Sequence, residues 1–416
     1  MKKYLCLLLV LIFSVGLMFC VARTQTTKLN SDKILPKIFL INPNVLNNTR
    51  ERILSNDPSL QPAFKKLLID AEKSLKSGPF SVTFNEHILP SGDNHNYVSL
   101  GTYYWPNPKT ADGLPYILRD GERNPEVDQY DRPQLNSMCE AVNTLALAYY
   151  FTGEEKYAEY ATKLLRIWFL DENTKMNPNM KYSQACKGVN DGTCWGIIES
   201  SVFPEILDSV GMLAGSKSWT LKDEEGLKDW FNLFLQWLIE SEAGEKTSVQ
   251  KNNHGTYYDV LVVSIALYID KLDFAKNHLT NTTMKRIENQ IMPDGSQPFE
   301  LKRTLSLDYS LSNLKGLYFC ALLGENVGLD LWNYQTSDGR GINKALEYLL
   351  PYIKGEKKWE YKQMKEYNRT HLFFLLRLAS IKFHNPDYET LLRGTPNAYD
   401  ITNIYNLLYP DADFQQ

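Results

Sequence analysis

From residue 134 onward the sequence repeats one pattern, in which apolar residues recur at three- and four-residue spacing over helix-length segments, with few strand signals between them. The predicted helices span residues 134–152, 154–170, 199–213, 225–239, 256–272, 274–291, 309–323, 342–353 and 361–383. Short connections indicate antiparallel pairs, so we predict an all-α fold, an incomplete (α/α) toroid or barrel. A tetratricopeptide-like solenoid is the competing fold, but no fixed repeat of roughly 34 residues is present.

The N-terminal segment has the features of an export signal. Lys2 and Lys3 precede an apolar run over residues 4–20, and polar sequence follows. We therefore assign residues 1–20 to a signal peptide and residues 21–416 to a single domain. No later run is long and apolar enough to span a bilayer.

The end of this signal resembles that of a bacterial lipoprotein, with Cys20 as the residue that would carry a lipid anchor. Phe19 departs from that pattern, because a small residue is expected before the cysteine. The sequence is therefore consistent both with export as a lipid-anchored protein and with export without an anchor. We expect a periplasmic protein or an outer-membrane lipoprotein of a Gram-negative bacterium.

The charge balance argues against a nucleic-acid partner. The 45 Lys and Arg residues are outnumbered by 49 Asp and Glu residues, which gives a formal net charge of −4. Because nucleic-acid binding depends on a positive field, we expect no such partner. An anionic polysaccharide would instead have to meet local positive charge inside a cleft.

Four cysteines follow the signal, and export would permit disulfides. Cys186 and Cys194 flank a short loop, and we expect them to form a disulfide. Cys139 and Cys320 lie in apolar helical segments and are predicted to be buried thiols. Neither paired CxxC motifs nor an HExxH motif occurs, so we expect no metal site and no cofactor.

Three loops rich in polar and aromatic residues interrupt the helices, and function is expected there. They span residues 79–133, 176–196 and 251–255. The first is long enough to be a lid, in which we predict that Tyr104, Trp105 and Arg119 bind substrate. Packing within a proline-rich loop is the alternative for these residues. Gln184, in the second loop, is a further candidate for substrate binding.

The third loop opens a predicted helix with Asn253 and His254. A helix N-terminus favours an anion, and Tyr257 and Tyr258 follow at helical spacing on the face of His254. We therefore predict an anion-binding site that includes Tyr258. The alternative is structural, with Asn253 as an N-cap and His254 as a buried histidine.

A second segment supplies Arg303 and Tyr309. Their six-residue separation does not place them on one helix face. We expect Arg303 in a turn and Tyr309 in the first turn of the next helix. A surface arginine and a core tyrosine are the structural alternative.

Together these segments resemble the alginate-lyase superfamily of α/α-toroid polysaccharide lyases, which includes families five and thirty-eight. The resemblance rests on motifs that occur in the same order: Pro90-Ser91-Gly92-Asp93, Tyr104-Trp105-Pro106-Asn107-Pro108, Arg119-Asp120-Gly121, Met176-Asn177-Pro178-Asn179, Gly196-Ile197-Ile198-Glu199, Asn252-Asn253-His254, and Arg303 with Tyr309. The spacing from Arg303 to Tyr309 is one residue shorter than in family five, which favours family thirty-eight.

The resemblance implies an enzyme that cleaves a polyuronate by β-elimination. Residues matching Asn253 and His254 contact the uronate carboxylate, a residue matching Arg303 assists, and a residue matching Tyr309 is the catalytic base and acid. A nearby cation lowers the pKa of a tyrosine, so we expect Arg303 to favour the Tyr309 phenolate. Alginate, and polymannuronate in particular, is the expected substrate, with glucuronan next.

Two other functions fit the sequence less well. A glycoside hydrolase on an α/α barrel would use two carboxylates as acid and base, and no pair of acidic residues stands out by its spacing. A non-catalytic glycan-binding lipoprotein would suit the export signal and the many aromatic residues. Such a protein does not require a tyrosine placed to move protons.

Overall fold

The computed structural model describes residues 35–85 and 92–411, which lie in one compact unit, and most of them are helical. The α-helices are α1 Pro43–Leu54, α2 Gln61–Ser74, α3 Asp131–Thr152, α4 Glu155–Leu165, α5 Phe203–Leu213, α6 Leu221–Glu240, α7 Glu242–Ser248, α8 Asn253–Tyr268, α9 Leu272–His278, α10 Met284–Gln290, α11 Pro298–Leu301, α12 Ser306–Glu325, α13 Ile342–Ile353, α14 His371–Lys382, α15 Pro386–Gly394 and α16 Tyr405–Leu408. The predicted signal over residues 1–20, including Cys20, and the lid residues Pro90 and Ser91 lie outside the described residues.

An inner layer of helices forms the wall of the toroid. Helix α3 packs against α5, α5 against α8, α8 against α12, and α12 against α14. Two of these helices are buried on nearly every side: 10 of the 11 residues of α5 and 14 of the 16 residues of α8 are buried. The outer helix α6 buries 7 of its 20 residues on one stripe, as expected for a helix that faces solvent. The predicted α/α-toroid fold is thereby confirmed, and the described helices do not close into a barrel.

The two ends of the described chain meet and join neighbouring parts of the toroid. The carboxylate of Asp208, on α5, accepts hydrogen bonds from the backbone N–H groups of Phe39, Leu40 and Ile41 at 2.6, 3.0 and 3.2 Å. The hydroxyl of Tyr409 donates to the Leu40 carbonyl at 3.0 Å. The segment before α1 is therefore held by both the inner layer and the C-terminus.

The observed helices follow the predicted ones closely in most places. The range 342–353 is confirmed as α13. The range 274–291 is interrupted by a π-helical turn over Leu279–Thr283, which separates α9 from α10. The prediction for 361–383 is wrong in its first half, because α14 begins only at His371.

The predicted lid over residues 79–133 is more ordered than a loop. Strand β1 (Val98–Leu100) pairs in parallel with β4 (Tyr182–Ala185), and β2 (Tyr104–Trp105) pairs antiparallel with β3 (Ile117–Leu118). A short 3-10 helix, Pro125–Gln129, leads into α3. The β1–β4 pair joins the lid to the second polar loop, residues 176–196, and the β2–β3 pair joins two parts of the lid to each other.

The expected disulfide between Cys186 and Cys194 is wrong, because both residues are free thiols. The sulfur of Cys186 faces the lid and lies 3.7 Å from the Tyr116 carbonyl oxygen, whereas Cys194 lies beside Lys246 and Thr247. Cys139 and Cys320 are buried thiols, as predicted. Among the described residues, no helix is both long and apolar enough to cross a membrane.

Candidate active site

The first turn of α8 leaves the side chain of Asn253 available for a ligand. Asn252 is the N-cap, because its side-chain oxygen accepts the His254 N–H at 3.2 Å. The backbone N–H of Asn253 donates to Glu300 Oε1 at 2.6 Å. Asn253 Oδ1 is buried and has no hydrogen-bond partner within the described part of the chain. The alternative in which Asn253 caps the helix is therefore wrong.

His254 also lies in the first turn of α8, and its imidazole is neutral. Its ring meets the exposed Trp195 ring edge to face, with centroids 5.0 Å apart. Burial lowers the pKa of His254 to about 4, and the positive charge of Arg303 adds to that shift. Its Nδ1 atom is buried without a hydrogen-bond partner among residues 35–85 and 92–411. A neutral histidine with one unused nitrogen is suited to hydrogen bonding with a substrate.

Arg303 and Tyr309 are brought together by the turn before α12. Tyr309 lies in the first turn of that helix, as predicted, and the Arg303 guanidinium lies over its ring at 3.9 Å from the centroid. Asp120 from the lid accepts from Arg303 Nη2 at 2.7 Å and from the Thr304 hydroxyl at 2.9 Å. The lid thus fixes the position of the arginine, and the arginine covers one face of the tyrosine.

The hydroxyl of Tyr309 lies 2.7 Å from the hydroxyl of Tyr103 in the lid. Burial raises the pKa of Tyr309 above its ordinary value, Tyr103 adds to the rise, and Arg303 opposes it without reversing it. Arg303 lowers the pKa of Tyr309, as expected, but burial and Tyr103 outweigh its effect. The guanidinium faces the ring rather than the oxygen, and Asp120 offsets part of its charge.

A cavity of about 420 Å³ opens beside these residues. Its lining includes Tyr103, Tyr309, Ser312, Lys365, Asn368 and His371. Glu300 accepts the backbone N–H of Asn253, and the charge of Arg303 lowers the pKa of His254. Asn253 and His254 therefore lie close to the segment that carries Arg303 and Tyr309. The structure therefore places Asn253, His254, Arg303 and Tyr309 in one neighbourhood.

Three predicted substrate-binding residues lie on the outer part of the lid. Trp105 donates from Nε1 to the Glu122 carbonyl at 2.8 Å, and the Arg119 guanidinium lies 5.2 Å from the Trp105 ring centroid. The Tyr104 ring packs against Gly101. These contacts fit the packing alternative, although Trp105 and Arg119 keep part of their surface exposed.

Gln184 belongs to a polar cluster around the buried carboxylate of Glu199. Its Nε2 donates to Glu199 at 3.1 Å, and Tyr97 donates to the same carboxylate at 2.8 Å. Arg132 lies 3.5 Å from Glu199 and donates to the Thr102 hydroxyl at 2.6 Å. Gln184 has a φ of +49°, so β4 holds it in an uncommon backbone conformation. The cluster positions Gln184 through hydrogen bonds to the protein.

Tyr258 does not fit the predicted role in substrate binding. It is buried, and its hydroxyl donates to the Leu238 carbonyl at 2.8 Å, on the side of α8 that faces α6. Tyr257 points elsewhere, with its hydroxyl donating to the Ser312 carbonyl at 3.2 Å. The predicted shared face of His254, Tyr257 and Tyr258 is therefore wrong, because an inner helix is surrounded on every side.

Four residues near the site were not predicted from the sequence: Tyr103, Asp120, Trp195 and Glu300. Tyr103 directly precedes the predicted Tyr104, and Asp120 directly follows the predicted Arg119. The sequence motifs therefore indicated the right segments but not which side chains face the site. Burial raises the pKa of Glu300 to about 7, against the opposing effects of the Asn253 N–H and Arg303. Its Oε2 atom has no hydrogen-bond partner among the described residues.

Comparison with known proteins agrees with this architecture. A family model described as alginate lyase matches residues 81–359. The structure of an alginate lyase from Bacteroides ovatus is 38% identical in sequence, with a TM-score of 0.86 over 90% of this chain and 99% of that one. The chain belongs to the alginate lyase family. It is therefore a polysaccharide lyase, which excludes the glycoside hydrolase and the non-catalytic glycan-binding protein.

More distant structures share the fold with this lyase. Alginate lyase A1-III from Sphingomonas species A1 is 16% identical, with a TM-score of 0.54 over 91% of this chain and 98% of that one. A histidine-to-alanine variant of A1-III in complex with a tetrasaccharide is also 16% identical, with a TM-score of 0.59 over 91% and 97% of the two chains. No curated protein sequence matches this lyase.

Proposed function

We propose that this lyase cleaves alginate by β-elimination with Tyr309 as base and acid, and that polymannuronate is its preferred substrate, followed by glucuronan. The observation that carries the proposal is the position of the Tyr309 hydroxyl. It borders an open cavity, lies 2.7 Å from the Tyr103 hydroxyl, and belongs to a ring covered by Arg303. Carboxylate-binding groups stand at the adjoining N-terminus of α8.

The first requirement of the reaction is to neutralise the uronate carboxylate. The proton on C5 is weakly acidic while the carboxylate keeps its full negative charge, and removing that proton creates an enediolate. The side-chain amide of Asn253 and the imidazole of His254 would donate hydrogen bonds to the carboxylate oxygens. Because both side chains are fixed in the first turn of a long helix, these donors need little rearrangement as charge develops.

The second requirement is a base that later becomes an acid. Burial keeps Tyr309 protonated at rest, so its proton must first pass to water in the open cavity before the phenolate can act. The Tyr103 hydroxyl can then donate to the phenolate oxygen. The phenolate takes the C5 proton, the bond between C4 and O4 breaks, a C4–C5 double bond forms, and Tyr309 returns the same proton to O4. The cycle ends with Tyr309 as a phenolate again.

Stereochemistry favours mannuronate for a site with a single proton-transfer residue. In mannuronate the C5 proton and the O4 leaving group lie on the same side of the ring, so one tyrosine can serve both in a syn elimination. In guluronate they lie on opposite sides, which requires a second group. The lowered pKa of His254 makes it a weak base for that role.

We further propose that the lyase is exported to the periplasm, either free or as an outer-membrane lipoprotein anchored through Cys20. The support is the order of charged, apolar and cysteine residues at the N-terminus. Expression of the full chain and of Cys20→Ser in a Gram-negative host, followed by membrane fractionation, tests this. Equal release of both proteins into the soluble periplasmic fraction would contradict the anchor.

The proposed reaction is tested by incubating the protein with polymannuronate, polyguluronate, glucuronan and hyaluronan. Ultraviolet absorbance of the new C4–C5 double bond measures the product directly. We expect the highest kcat/KM on polymannuronate and the next highest on glucuronan. A marked preference for polyguluronate would contradict the syn mechanism with Tyr309 alone.

A further inference from the structure

Lys315 is a positive charge on the catalytic helix that the proposed mechanism does not use. It follows Tyr309 by six residues on α12, about 9 Å along the helix axis. Its ammonium lies 5.3 Å from the ring centroids of both Phe319 and Phe374. A 3.4 Å hydrogen bond to the Tyr405 hydroxyl leaves two of its three N–H donors for another partner.

The lysine is charged but has no carboxylate at ion-pair distance within the described parts of the chain. Burial opposes its charge, yet nearby Tyr405, Tyr257 and Glu205 raise the pKa of Lys315 above the ordinary value. Two more deeply buried cations are paired, Arg286 with Asp259 at 2.7 Å and Arg377 with Glu389 at 2.8 Å, whereas Lys315 is partly buried. Because an unpaired charge in such a place is costly, its retention points to an anionic ligand.

Two residues that line the catalytic cavity lie close to Lys315. Ser312, one turn before it on α12, lines that cavity and accepts a hydrogen bond from Tyr257. His371 lines the same cavity, and its pKa is lowered by burial and, to a lesser degree, by the charge of Lys315. The ammonium is therefore within electrostatic reach of a molecule bound beside Tyr309.

On its other side Lys315 adjoins a larger internal cavity of about 550 Å³. Tyr405 and Glu205, which both act on Lys315, line that cavity together with Asp70 and Glu140. These carboxylates would repel a polyuronate. Lys315 is thus a positive charge between the catalytic cavity and this group of carboxylates.

We propose that Lys315 forms a subsite for the carboxylate of a second uronate, a neighbour of the residue whose C5 proton is removed. The proposal rests on the proposed polyuronate lyase activity. The second carboxylate takes no part in bond breaking, so Lys315 binds the ground state and the transition state equally. Such uniform binding lowers KM and leaves kcat unchanged.

The test compares the parent with Lys315→Met, which keeps the apolar stem and removes the charge. On polymannuronate we expect KM to rise by about 10- to 100-fold, as for a lost hydrogen bond to a charged group, with kcat within about threefold. Lys315→Arg keeps the charge and should stay near the parent. Tyr405→Phe is the matched control, because it removes the 3.4 Å hydrogen bond without removing the charge.

The melting temperature of each variant shows whether it is folded, and Lys315→Gln replaces Lys315→Met if the latter does not fold. An unchanged KM in a folded uncharged variant of an active lyase would overturn the subsite alone. A fall in kcat with unchanged KM would also overturn it. A parent that forms no unsaturated product on any polyuronate would overturn both this inference and the proposed function.

Discussion

The middle and the first turn of helix α8 treat buried polar groups in opposite ways. Asp259 accepts hydrogen bonds from Arg286 at 2.7 and 2.9 Å, from Thr283 at 3.0 Å and from His278 at 3.0 Å. Five residues earlier, His254 Nδ1 has no partner within the described residues, and neither does Asn253 Oδ1. One helix therefore carries a saturated ionic cluster and an unsaturated first turn.

The difference distinguishes structural polar residues from residues that await a ligand. A buried polar group without a partner costs about 1–3 kcal/mol, so a fold rarely keeps several of them close together. Around Asp259 every oxygen is paired, and the cluster fastens α8 to the outer helices. At the first turn of α8 the His254 imidazole and the Asn253 side-chain amide lie near Arg303, and their N–H groups would donate to a uronate carboxylate.

The largest expected effect on stability comes from the saturated cluster. Asp259→Ala leaves Arg286 as an uncompensated buried charge, so the free energy of unfolding should fall by about 3–5 kcal/mol. Turnover per folded molecule should stay within a few-fold of the parent. Chemical denaturation and activity corrected for folded fraction check the prediction. A stable variant with lost turnover would remove the distinction between the middle and the first turn of α8.

A substitution in the first turn of α8 should have the opposite effect, with a large loss of turnover and little loss of stability. His254→Ala removes a donor to the developing enediolate, so turnover should fall by about 10²- to 10³-fold, as for the loss of an oxyanion donor. The melting temperature should change little, because the histidine side chain makes few hydrogen bonds in the unliganded protein. Steady-state kinetics and thermal unfolding distinguish a substrate-binding His254 from a structural one. If His254 were structural, stability would fall and turnover would persist.

A smaller effect is expected where the lid meets the catalytic segment. Asp120→Asn removes the carboxylate that fixes Arg303, and kcat/KM should fall by about tenfold, or about 1.4 kcal/mol of barrier. The matched control is Asp128→Asn, which breaks the exposed ion pair with Arg123 elsewhere in the lid. If both variants lost the same activity, general loosening of the lid would explain the result better than the position of Arg303.

The smallest effect is a change in pH dependence at Glu300. Its pKa is raised to about 7 by burial, so ionisation above that pH places a negative charge beside the Asn253 N–H and near Arg303, where a substrate anion must bind. Glu300→Gln stays neutral. The ratio of variant to parent kcat/KM should therefore rise as pH increases through about 7. A ratio that is flat from pH 6 to about 9 would show that Glu300 does not titrate in this range.

Helix positions could be predicted because inner and outer helices both repeat apolar residues at helical spacing. One exception is residues 361–370, which have the composition of a helix but pair with another segment, and helices α1, α2 and α15 were not predicted. Backbone groups of this segment pair with the start of α12, where Lys362 accepts the Ser306 N–H at 3.1 Å and Thr304 accepts the Met364 N–H at 3.0 Å. A tertiary contact of this kind leaves no periodic signal.

The site was predicted less completely, for three physical reasons. Residue identity gave Asn253, His254, Arg303 and Tyr309, but the two-residue strand β2 is too short for its pattern to show that Tyr103 faces the cavity. The sequence could not show which face of α8 lines the site and which holds Tyr258, because nearly all residues of this helix are buried. The direction of the Tyr309 pKa shift depends on burial, which sequence spacing does not give.

The central claim is that Tyr309 transfers the proton, and its most direct test is the turnover of Tyr309→Phe measured together with its melting temperature. The change removes only the hydroxyl, so the ring remains under Arg303 and folding should be nearly unaffected. Because one residue supplies both base and acid, kcat on polymannuronate should fall by about 10³- to 10⁴-fold. A well-folded Tyr309→Phe that kept a tenth or more of the parent rate, under about 1.4 kcal/mol of barrier, would contradict the claim.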